Sequence, residues 1–184
     1  MTLVALIGDS HMQALGPRIK TQLALEGVES TVVANAGKSL GWYLSTGELS
    51  RAAAGATHVV FEIGGNDDWR ASPIDDVRTA IQNALGIIEP RRSLWVGPAT
   101  ARADGADDAR ARHEDTAEKY GMLLGGRVEW LDSRGVTRTG QREDGVHFTP
   151  EAYDAWAAVI TKRALRLVRG PSFLELLLAA LGFA

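Results

Sequence analysis

Four short polar clusters in this chain hold side chains suited to acyl transfer. They are Gly8-Asp9-Ser10-His11, Asn35-Ala36-Gly37-Lys38-Ser39, Gly64-Gly65-Asn66-Asp67-Asp68-Trp69 and Asp144-Gly145-Val146-His147. A serine hydroxyl is a weak nucleophile until a base takes its proton, and histidine is the side chain whose free pKa lies near neutrality. The imidazole needs a partner, usually a carboxylate, to hold one tautomer. Asp144 and His147 stand at i and i+3, close enough for one tight loop to supply both base and orienter. A tetrahedral intermediate also needs donors for its oxyanion. The Ser10 N–H, the Gly37 N–H and the Asn66 amide are the candidates. Glycine at 37 suits close backbone approach, and a neutral amide at 66 donates without changing the charge of the site. Taken alone, Ser10 has a simpler reading as a helix N-cap, a position serine favours.

Those clusters follow predicted strands. The apolar runs Leu3–Ile7, Thr31–Ala34, His58–Ile63, Leu94–Val96 and Val128–Leu131 are short, and most are continuously apolar, as in strands buried on both faces of a parallel sheet. Helical signals lie between them. Met12–Leu15 and Arg18–Leu25 read as helix, and Pro73 opens a stretch in which Ile74, Val77, Ile81, Leu85 and Ile88 keep a 3–4 spacing. Ala106–Tyr120 reads as a helix with a charged, solvated face. Thr149-Pro150 marks an N-cap and first helical position for a helix to about Val168. Strands alternating with helices imply a three-layer α/β sandwich with a parallel sheet. Ligands in such folds bind beyond the carboxyl ends of the strands, so the polar clusters are expected on one rim.

The bulk properties narrow the function. A formal net charge of −3 over 184 residues gives no electrostatic footprint for nucleic acid. There are no cysteines, so thiolate metal sites and disulfides are excluded. The four histidines have no i, i+4 pair, and neither a metal nor a cofactor is expected. Gly37-Lys38-Ser39 resembles the end of a phosphate-binding loop, but Val32 stands where that motif needs its first glycine. No G-x-G-x-x-G follows the first strand, which argues against a dinucleotide fold. Met1-Thr2 leads into the first strand without a basic segment, so a cytoplasmic location is expected, with release by lysis or a non-classical route left open. The apolar stretch 172–184 is too short for a membrane span, which takes about 20 residues. It is expected as a docked helix, a homo-oligomer contact or a surface anchor.

The four clusters, in this order, resemble the SGNH (GDSL-type) hydrolases, serine esterases and acyl hydrolases on a flavodoxin-like, five-stranded parallel sheet. The blocks are Gly8-Asp9-Ser10, Gly37, Gly64-Gly65-Asn66-Asp67 and Asp144-Gly145-Val146-His147. The resemblance spans Leu3 to roughly Val168, within a domain placed at 1–169 and followed by the apolar tail 170–184. It implies a triad of Ser10, Asp144 and His147, with Gly37 and Asn66 completing the oxyanion hole and Gly41 as the fallback for Gly37. Asp9 reads as an acceptor shaping the serine turn, and Asp67 and Asp68 as solvated or capping carboxylates. His58 and His113 read as surface residues. His11 stands where many members carry an apolar residue. It reads either as a partly exposed turn histidine or, with Trp42, Trp69 and Phe148, as a candidate for the substrate pocket; Tyr43 lies beside the same blocks.

The expected reaction is hydrolysis of short-chain acyl or acetyl esters through an acyl-serine. Carbohydrate O-acetylesterase and sugar acyltransferase activities fit the same residues. A reading of another class is a non-catalytic binding or virion-associated module, with the tail as its attachment point. No charged clamp for a phospholipid or a coenzyme A thioester and no long insertion for a polysaccharide groove stand out, which suits small esters or acetylated sugars.

Overall fold

The computed structural model describes residues 2–104 and 108–170. Five strands, β1 (Leu3–Gly8), β2 (Glu29–Ala34), β3 (His58–Glu62), β4 (Arg92–Val96) and β5 (Glu129–Leu131), form one sheet in the order 2-1-3-4-5. Every pairing is parallel. This is the flavodoxin-like order. Helices α1 (Ser10–Leu25), α2 (Leu40–Ser45), α3 (Glu48–Ala52), α4 (Ile74–Ile88), α5 (Ala109–Leu124) and α6 (Pro150–Arg169) connect and follow the strands.

Strand alternation decides which helix covers which face. Successive side chains of a strand point to opposite sides. Val4 and Leu6 of β1, with Leu94 and Val96 of β4, therefore join Met12, Leu15 and Trp156 beneath α1 and α6. Ala5, Ile7 and Trp95 join Tyr43, Leu49, Val77, Ile81 and Tyr120 beneath α2–α5. Thr149 caps α6, its hydroxyl accepting from the Ala152 N–H, a contact of a type worth about 1 kcal/mol.

Some boundaries depart from expectation. β2 begins at Glu29, because an edge strand with exposed Glu29 and Thr31 lacks the continuous apolar run of a central one. Helix α1 continues through Gly16-Pro17, although proline removes one helical N–H. Packing holds that turn in place: a Cβ on Gly16 would lie 2.5 Å from Val32 Cγ1, so only glycine lets α1 lie this close to β2. Helix α5 runs to Leu124, four residues past Tyr120.

The register aligns Gly8 with Ala34 and Glu62, Glu62 with Val96, and Val96 with Leu131. The segments after these residues all leave from one edge, which carries the polar clusters. No helix among the described residues is long and apolar enough to cross a membrane. The apolar stretch 172–184 lies outside the described residues.

Candidate active site

Ser10 is the first residue of α1, directly after β1. Its neighbour Asp9 is the N-cap, accepting the His11 N–H at 2.9 Å. The capping task thus falls to Asp9, and the Ser10 hydroxyl is free for another partner. That partner is His147, whose Nε2 lies 3.1 Å from Ser10 Oγ. His147 Nδ1 lies 2.8 Å from Asp144 Oδ2. The other oxygen, Asp144 Oδ1, accepts the Val146 and His147 N–H groups, each at 2.9 Å. Partial burial pushes the Asp144 carboxyl up, but these two N–H groups and the imidazole outweigh it and hold it at about 2. It is therefore a carboxylate at any working pH, able to keep the proton of a neutral His147 on Nδ1 and leave Nε2 as the acceptor facing Ser10.

The loop carrying this pair is closed on itself. Arg142 N–H donates to His147 O at 2.7 Å, and Gly145 N–H to Arg142 O at 3.0 Å. An isolated antiparallel bridge joins Gln141 to Phe148 just outside it. These bonds fix His147 immediately before α6.

The sequence-predicted donors lie on three separate segments. Ser10 opens α1, so its N–H is one of the four that lack an acceptor within the helix. Gly37 sits in the turn after β2 with φ of +70°, a conformation that favours glycine. Gly41, by contrast, lies within α2. Asn66 Nδ2 donates to Asp9 Oδ2 at 2.9 Å and lies 3.4 Å from Lys38 O. The first bond orients the amide. The second is longer than an ordinary N–H···O bond, so its hydrogen can turn to a developing oxyanion.

Asp9 is wholly buried, and burial pushes it up to about 6. Glu62, paired in register with Gly8, is equally buried and is pushed well above the carboxylate range by burial and by Asp9. Sequence reasoning passed over Glu62 as part of an apolar run. Burial and the neighbouring Asp9 carboxyl both favour its protonated form.

Asp67 is also buried, capping α2 through the Leu40 N–H at 3.0 Å and accepting the Tyr120 hydroxyl at 3.2 Å. Burial pushes it up to about 7 against those bonds. A carboxyl raised above its unfolded value stabilises the fold fully below pH ~4 and loses that contribution as pH rises through ~7. Asp67→Asn should therefore melt above the wild type at pH 8, with the gap narrowing toward pH 5. The pH-dependent part is on the order of 3 kcal/mol. Parallel curves of melting temperature against pH would contradict this. Asp68 is the solvated carboxylate, paired with Arg70 at 2.7 Å.

Three expectations need correction. His11 is 1 % exposed, neither a turn histidine in solvent nor a pocket wall. Its Nδ1 meets the Tyr153 hydroxyl at 3.0 Å, and its ring packs on His147, Phe148 and Trp156. Burial holds it near 3, so it is neutral in use. Phe148 is likewise buried, as part of the layer beneath α1 and α6. His113 is buried too, with Nδ1 2.7 Å from Ala99 O and Nε2 3.1 Å from Gly65 O, and so braces the loop that carries Asn66. His58 lies half-buried beside Thr57.

The cleft at Ser10 and His147, about 330 Å³, is lined by Gln13, Arg18, Arg142, Pro150 and Tyr153. Trp42 and Trp69 pack on the α2–α5 layer and do not line it. Neither arginine was singled out in the sequence, because each belongs to a different surface segment.

No family model matches the sequence, and no curated protein matches it by sequence. Solved structures do match in fold. A lipase/acylhydrolase from Enterococcus faecalis superposes with a TM-score of 0.76 at 17 % identity, covering 92 % of this chain and 97 % of that one. A GDSL-like lipase from Bacteroides thetaiotaomicron gives 0.68 at 14 % identity, covering 90 % and 88 %. A carbohydrate acetylesterase from Sinorhizobium meliloti gives 0.64 at 13 % identity, covering 91 % and 100 %. With its 2-1-3-4-5 parallel sheet between two helical layers, the chain has the fold of the SGNH, or GDSL-type, hydrolases.

Proposed function

We propose that the chain is a serine ester hydrolase of the SGNH type, its hydrolase domain formed by residues 1–169, which cleaves short-chain acyl esters through an acyl-serine. The observation that carries this reading is the line of contacts from Asp144 through His147 to Ser10, at 2.8 and 3.1 Å. His147 Nε2 takes the Ser10 proton as Oγ attacks the acyl carbonyl. The oxyanion is received by the Ser10 and Gly37 N–H groups and the Asn66 amide, each such donor being worth about 10²–10³ in kcat. Collapse of the intermediate returns the proton from His147 to the leaving alcohol. Water then attacks the acyl carbon as His147 Nε2 takes its proton, and collapse of this second intermediate breaks the bond to Ser10 Oγ, returns the proton from His147 to Oγ and releases the acid.

The shallow cleft favours a short acyl group or a small alcohol. Acetylated sugars fall in this class, and the fold is shared with a carbohydrate acetylesterase and an acetyl xylan esterase. The test is a fluorophosphonate probe on the folded protein. We expect one covalent adduct, located on Ser10 by peptide mass spectrometry, together with loss of turnover of p-nitrophenyl acetate. Absence of an adduct, or an adduct elsewhere with activity retained, would sink the assignment.

A further inference from the structure

The cleft beside Ser10 and His147 is bordered by two arginines, although the sequence showed no charged clamp. They differ in state. Arg18 is committed: its Nε meets Asp154 at 2.6 Å, an Nη donates to Ala14 O at 2.8 Å, and its guanidinium lies 5.8 Å from the Tyr153 ring centroid. It forms a wall whose charge is already met by Asp154. Arg142 is exposed, and its guanidinium makes no ion pair among the described residues. Its backbone is nevertheless fixed, since Arg142 N–H donates to His147 O and Arg142 O accepts the Gly145 N–H. The loop that presents the base therefore also carries a cation on the border of the same cleft. Asp154 is paired with Arg18, whereas Asp144, bonded to a neutral His147, and the exposed Glu143 keep their charges, and neither makes an ion pair with Arg142 among the described residues.

The chemistry says which half of an ester meets this cation. The leaving oxygen receives its proton from His147 Nε2, so the alcohol departs on the His147 side, and the cleft on that side also contains Arg142. On the hydrolase reading above, we propose that the cleft binds an ester whose alcohol half carries an anionic group, a carboxylate or a phosphate, paired with Arg142. An acetylated acidic sugar has this character.

Four acyl esters test it: para-acetoxybenzoate, para-acetoxyphenyl phosphate, the neutral methyl para-acetoxybenzoate, and the monophenyl ester of succinic acid with its charge in the acyl half. Arg142→Gln should lower kcat/KM for the anionic alcohols about tenfold more than for the neutral ester, the scale of one charge-assisted hydrogen bond. Added sodium chloride should erode the wild-type preference. The first two substrates distinguish carboxylate from phosphate. Arg138→Gln, which makes the same charge change at an exposed position away from the cleft, should leave the ratio alone. Equal ratios in wild type and Arg142→Gln, or a preference that follows the succinyl charge, would overturn the proposal. If Ser10→Ala still cleaves all four, the hydrolase reading has failed instead.

Discussion

Ser10→Ala should lower kcat for a poorly activated alkyl ester by about 10⁶, and adding His147→Ala should cost almost nothing more. The reason lies in the 3.1 Å contact between His147 Nε2 and Ser10 Oγ. A base with no nucleophile to deprotonate and a nucleophile with no base leave the same residue of catalysis, that of the oxyanion donors and binding. The two losses therefore overlap. An activated phenyl ester would mask this floor through its background hydrolysis, so the alkyl ester is the proper substrate. Initial rates for the two single variants and the double variant give the result directly. Losses that multiply would mean the residues act in separate steps, and a largely active Ser10→Ala would remove the acyl-serine altogether. Folding is a minor concern for the serine variant, because the cap of α1 is Asp9.

The sequence disclosed the sheet and the candidate site residues for the same reason. Central strands buried on both faces must be continuously apolar, so β1 and β3 stand out, and the polar residues that interrupt them at their carboxyl ends are conspicuous. Ser10, Asn66, Asp144 and His147 are legible as chemistry because few other roles ask for those types at those places. What stayed hidden depends on partners distant in sequence or on backbone angles. Asp9 and Ser10 both carry an acceptor oxygen, and only the backbone conformation at the turn makes Asp9 the cap. His11 looked like a surface residue because its hydrogen-bond partner, Tyr153, is 142 residues away on α6. On α5 the inward stripe includes His113 and Thr116, so no apolar period marks the buried face. Arg18 and Arg142 become neighbours only when α1 and the loop before α6 meet around one cleft.

Asp144→Asn should lower kcat by about 10⁴ while leaving the fold in place. The asparagine Oδ1 can accept the Val146 and His147 N–H groups that Asp144 Oδ1 accepts now, so the loop keeps its shape. The change falls on the atom facing His147 Nδ1, at present an oxygen 2.8 Å away. An amide NH₂ there donates, and Nδ1 can meet it only by giving up its own hydrogen. The neutral ring then carries its proton on Nε2 and points it at Ser10 Oγ. A base so turned has no lone pair for the serine proton, whatever its position. The loss should therefore appear in kcat for every ester tested, with a melting temperature near that of the wild type. Nitrogen-15 spectra of the imidazole should report protonated Nδ1 in the wild type and protonated Nε2 in the variant. A variant that keeps the wild-type tautomer and loses less than tenfold would show that Asp144 only shapes the loop.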